Sequence, residues 1–201
     1  MQELSVRASV ASRDALQVLK RALTDPVGNI GAFGDVLGER RVLDAGIALV
    51  IAFDLAMVVA VQIGARKTLG FLAPLVFGES AFVALIKSML FAAVPALVLM
   101  AVLLSVQKIF GGRAEIARAL FAAGVTLIPI ALVSLLAAIL GAANFEIIAI
   151  LGVALISYTA LILFAALRDV LGVGSGKAAA LLTVVFLVTG WLSKVVVAAL
   201  L

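Results

Sequence analysis

The chain has 201 residues, of which 66% are apolar and 13% charged, with a net charge of +4. That balance excludes a soluble globular domain, which has no means of hiding so much apolar surface. The absence of cysteine and histidine excludes disulfides, thiol chemistry, His-dependent catalytic pairs and most transition-metal sites.

No cleavable signal peptide is expected here, since the first 41 residues are polar and the apolar run that follows is too long for a signal core. Within them Leu4, Ala8, Ala11, Ala15, Val18, Leu19 and Ala22 fall on one stripe at helical spacing, with Arg13, Gln17, Lys20 and Arg21 away from it. The pattern predicts an interfacial helix lying on the membrane surface. Thr24-Asp25-Pro26 then reads as a second helix start, with a capping side chain and proline in the first turn. Val27, Ile30, Phe33 and Leu37 continue at helical spacing, while Gly31, Gly34 and Gly38 form a bare face.

Five long apolar runs follow, at about 42–63, 82–106, 117–140, 145–167 and 178–201. A hydrocarbon core of about 30 Å needs about 20 apolar residues in a helix, and each run supplies them. Barrel strands would be shorter and would alternate apolar with polar. The expected fold is therefore all-α: a five-helix transmembrane domain over 42–201, preceded by a cytoplasmic or interfacial segment over 1–41. Between the first two runs, Leu69–Phe77 is apolar but too short to span and is broken by Pro74. Pro95 and Pro129 lie mid-span, where they shape helices. Gly111-Gly112-Arg113 closes a hairpin between the second and third spans, Gly111 and Gly112 allowing the sharp reversal.

Outside the spans, eleven Lys and Arg residues fall on the N-terminal side and two, Arg66 and Lys67, on the other. The positive-inside rule predicts a cytoplasmic N-terminus and an external C-terminus. The same placement explains the pI near 9.9 without a nucleic-acid partner: the basic residues meet the lipid bilayer.

The charges within the spans are the candidate site residues. Asp54, Lys87, Glu146 and Lys194 all fall in the outer half under this topology. Charges at such depth need a partner or water. They form either a structural set of neutralising pairs, Asp54 with Lys87 above all, or a polar cavity open to the outer face. Gly172-Val173-Gly174-Ser175-Gly176-Lys177 imitates a phosphate loop, but Leu171 and Ala178 stand where the motif needs glycine and a hydroxyl residue, and no strand precedes it. No catalytic, cofactor-binding or metal-ligating set is visible. Tyr158 and Trp191 read as interfacial anchors or as the lining of a ligand pocket, anchoring being the usual role of aromatics near interfaces.

The stretch Val106-Gln107-Lys108-Ile109-Phe110-Gly111-Gly112-Arg113-Ala114-Glu115-Ile116-Ala117-Arg118-Ala119-Leu120, followed by Gly124 and Ile128-Pro129, resembles the core of the Yip1 family. Leu23-Thr24-Asp25-Pro26 upstream and Leu171–Ala178 downstream fit the same order of features. The resemblance implies a multi-pass protein of five spans with a cytosolic N-terminus. Eukaryotic members act in vesicle traffic through Rab GTPases. This chain has Asp25-Pro26-Val27-Gly28 where those proteins carry Asp-Leu-Tyr-Gly-Pro, so a Rab partner is not carried over. Its Ala, Leu and Val richness implies a bacterial-type member in the cytoplasmic (inner) membrane.

The leading expectation is a non-enzymatic membrane adaptor or organiser, without cofactor, that meets a protein partner or forms a homo-oligomer. The alternative is a small transporter or channel component using Asp54, Lys87, Glu146 and Lys194. An odd number of spans and no visible inverted repeat count against an autonomous transporter.

Overall fold

The computed structural model describes residues 2–28, 30–69, 81–111, 115–141 and 145–200. Six α-helices account for most of them: α1 (Gln2–Thr24), α2 (Ile30–Leu69), α3 (Ala81–Val106), α4 (Ile116–Leu140), α5 (Phe145–Ala165) and α6 (Ser175–Leu200). The protein is all-α, and no strand occurs among the described residues. Five helices are long and apolar enough to cross a membrane, over Gly38–Gly64, Ile86–Phe110, Ile116–Leu140, Glu146–Val170 and Ser175–Ala199. The expected Leu69–Phe77 segment lies mostly outside the described residues, as does Gly112 of the hairpin turn.

α2 is continuous past residue 41, and its one break is at Gly38, whose φ of 69° and ψ of 155° are not helical. A side chain is strained in that region, so glycine is the residue that lets the chain bend before entering the first span. Pro95 and Pro129 sit inside unbroken helices. Each removes a donor and releases the carbonyl one turn earlier. Beside the buried Pro129, the Thr126 hydroxyl donates to the Ala122 carbonyl at 2.7 Å, which satisfies a hydroxyl with no access to water.

α4 is the central helix. Every residue from Phe121 to Pro129 is buried. Its main partner is α2, the first span, rather than its chain neighbours α3 and α5. Two glycines explain the choice. A Cβ at Gly46 would lie 2.8 Å from the Phe121 backbone nitrogen, and a Cβ at Gly124 would lie 2.8 Å from Leu49 Cβ. The helices therefore cross backbone to backbone, the contact that stabilises helix pairs in lipid, where apolar burial alone supplies no drive. α3 packs against α2, α4 and α6; α5 packs against α4 and touches α2. α6 is mainly exposed, with 6% of its span buried, so it leans on α3 at the margin of the bundle.

Both α3 and α5 end in π-helical turns, Gln107–Gly111 and Ala166–Val170. The second closes over Gly172 (φ 69°), with the Leu171 amide donating to the Ala166 carbonyl and the Val173 amide to the Leu167 carbonyl, each at 3.0 Å. These wide turns sit at the same end of the bundle as the start of α4: the Glu115 amide donates to Gln107 Oε1 at 2.9 Å, and Arg118 reaches the Val170 carbonyl. At the opposite end the Lys67 ammonium donates to the Ile139 carbonyl, joining the far ends of α2 and α4.

Candidate functional site

The densest polar construction lies where α1 and the turn after it meet the spans. α1 packs on α2 and also touches α4, burying Asp14, Ala15, Val18 and Ala22. The buried face is the later part of the predicted stripe, Ala15, Val18 and Ala22 with Ala11 and Leu19 partly buried, whereas Ala8 is exposed; Asp14, only 4% exposed, lies at its edge. Arg41 of α2 binds it bidentately at 2.8 and 3.0 Å. Arg7 binds Asp44 in the same way at 2.6 and 2.7 Å, so each helix gives one arginine and one aspartate to its neighbour. Such forked pairs fix orientation as well as proximity. Both arginines are about half exposed, so the pairs chiefly set the register of α1 on α2.

The turn is tethered separately. The Tyr158 hydroxyl on α5 donates to the Ala22 carbonyl near the end of α1. Arg168, in the π-helical turn, donates to the Val27 carbonyl at 3.1 Å, pairs with Asp169 and lies 5.4 Å from the Phe164 ring centroid. Asp25 accepts from the Gly28 amide at 2.9 Å, which closes the Asp25-Pro26-Val27-Gly28 turn on itself. Around the same end, Arg118 pairs with Glu115 at 2.6 Å and Lys177 sits 6.0 Å from the Phe110 ring centroid.

The residues singled out from sequence are placed differently. Asp54 is partly buried in α2, and its enclosed Oδ1 has no hydrogen-bond partner. Lys87, Glu146 and Lys194 are exposed on α3, α5 and α6. No ion pair joins Asp54 to Lys87, or links any of the four to another, among the described residues. The expected Asp54–Lys87 pair assumed that consecutive spans would be nearest neighbours, whereas the glycine crossing draws α2 mainly to α4. Tyr158, read as an anchor, is a tether to α1, and Trp191 is 64% exposed on α6. The clamps had little signal in the sequence: Asp14 and Asp44 each lie within a turn of an arginine, but residues 1–44 hold six acids and six bases, so neither acid stands out.

Among the described residues no nucleophile lies beside a base in this arrangement. It is an end rich in paired charges, built from the N-terminal helix, its turn and the adjoining ends of the spans. The Yip1 domain family model matches residues 20–195, from the end of α1 through most of α6. No similar curated protein and no similar solved structure was found. With five membrane-crossing helices and a match over most of its length, the chain belongs to the Yip1 domain family.

Proposed function

We propose that this Yip1-family membrane protein is a non-enzymatic adaptor of the bacterial inner membrane, with a cytoplasmic N-terminus and an external C-terminus, whose N-terminal side is a docking face for a protein partner. The observation that carries the reading is the fixing of α1 and the Asp25–Gly28 turn by four separate side chains, Arg7, Arg41, Tyr158 and Arg168. A pre-formed face binds with little ordering cost, which is what an adaptor needs. Gentle solubilisation followed by mass analysis tests it. A stoichiometric protein partner, lost on Arg168→Ala, agrees with the proposal; a partner-free oligomer stabilised by a solute does not.

One observation favours the second reading, a small transporter or channel component. Asp54 keeps an enclosed carboxylate oxygen without a partner in the middle of a span, and such groups often line solute or ion paths. Solute-dependent thermal stabilisation that disappears in Asp54→Asn would favour it.

A further inference from the structure

A groove of about 530 Å³ runs between α1 and α2. Its α2 wall is a single helical stripe: Asp44, Ile47, Ala48, Ile51, Ala52 and Leu55. Its α1 wall is built from small residues, Ala8, Ala11 and Ser12, capped by Arg7. Ile47, Ile51 and Leu55 are all roughly half exposed, at 42%, 54% and 52%. From Asp44 to Leu55 the stripe rises about 16 Å at 1.5 Å per residue. That is about half of a hydrocarbon core of about 30 Å, the depth of one leaflet.

The charges all lie at one end. Arg7 and Asp44 close the groove by pairing with each other. One turn before Asp44 on the same face of α2 stands Arg40, exposed and without an ion pair among the described residues. Asp14 and Asp44, the acids beside it, are already held by Arg41 and Arg7, while Glu39 belongs to the adjoining face of the helix. The head of the groove thus offers one exposed guanidinium, Arg40, beside two closed ion pairs, and its length is apolar.

We propose that this groove is a phospholipid site of the leaflet on the N-terminal side. One acyl chain lies along Ile47, Ile51 and Leu55 against the small residues of α1, and an anionic phosphate head faces Arg40. The length of the groove fits a chain of one leaflet, and the charge at its head selects an anionic lipid over a zwitterionic one. The bound lipid would complete the packing of α1 against the first span, so that α1 seats fully only in a membrane containing anionic lipid.

Native mass spectrometry of the delipidated protein, titrated with phosphatidylglycerol and with phosphatidylcholine, tests the site. The expected result is a retained phosphatidylglycerol adduct with weaker binding of phosphatidylcholine. Arg40→Gln should lower phosphatidylglycerol affinity about fivefold, the effect of one basic residue near an anionic head, and leave phosphatidylcholine binding unchanged. Ile51→Trp, which fills the groove from an exposed position, should weaken both lipids. Lys177→Gln, an exposed basic residue on another helix, should change neither. Melting temperatures of the three variants establish that each is folded. Equal binding of the two lipids by the unsubstituted protein, or a loss in Lys177→Gln as large as in Arg40→Gln, would overturn the site and indicate a general lipid annulus. Ile51→Trp with undiminished lipid binding would overturn the groove as the place of the chain.

Discussion

At the scale of single residues, Asp14 carries the most information. It is a carboxylate with 6% of its side chain exposed, held by both donors of a forked arginine. Asp14→Asn keeps the shape but removes the charge that the forked arginine binds, so α1 should loosen, though modestly, because the Arg41 side chain is 53% exposed and screened by solvent. Arg41→Met should do more harm, because it leaves the buried carboxylate without its cation. Limited proteolysis of α1 ranks the variants: wild type slowest, Asp14→Asn faster, Arg41→Met fastest. The reverse order would mean that Asp14 is solvated. Asp54 leads to the opposite expectation. Its enclosed oxygen has no partner, and leaving such a group unsatisfied costs about 1–3 kcal/mol. Asp54→Leu should therefore raise the thermal midpoint in detergent. A fall would show that Asp54 has an interaction worth keeping, with Lys87 or with water. Sequence reading found Asp54 because a charge inside an apolar run is conspicuous. It passed over Asp14 because an acid in a polar segment looks ordinary until a second helix covers it.

At the scale of elements, the α2–α4 crossing organises the bundle. Gly46 meets Phe121 backbone and Gly124 meets Leu49 and the Gly46 carbonyl, so neither site has room for a methyl group. Gly46→Ala should push the helices apart and cost about 1–3 kcal/mol, the range for overpacking. Gly64→Ala, with nothing near its Cβ position, should cost little and serves as the control. Thermal melts check both; equal losses would remove the crossing as the cause. Of the elements, the spans were the most legible. Five apolar runs were read, and five helices are long and apolar enough to cross a membrane, because the bilayer itself sets how long an apolar helix must be. The pairing of spans was not legible. In lipid, contact surfaces are marked by small residues rather than by apolar against polar, and this chain has 17 glycines from which two had to be chosen. Gly38 was read from the sequence as part of a bare face for close backbone approach; in the structure nothing lies within 4 Å of its Cβ position, and it makes a bend with positive φ instead.

At the scale of the whole molecule, the joined ends follow an alternating order. The ends of α3 and α5, the starts of α4 and α6 and the α1–α2 turn are tied together at one end, and α2 and α4 are joined at the other. The distribution of basic residues, eleven against two, predicts that the tied end is cytoplasmic. A C-terminal reporter active only outside the cytoplasm should therefore be active, and activity from a cytoplasm-only reporter would reverse the assignment. What the candidate site does depends on whether its tied end receives a protein. Photo-crosslinking side chains placed at Gln17 and Lys20, both exposed on α1, test that claim most directly, with Leu187 and Trp191 on the exposed face of α6 as comparison. The account predicts one discrete protein adduct from Gln17 and Lys20, abolished by Arg168→Ala, and none in common with the α6 positions. Adducts to lipid alone from α1, or the same protein adduct from both helices, would contradict it.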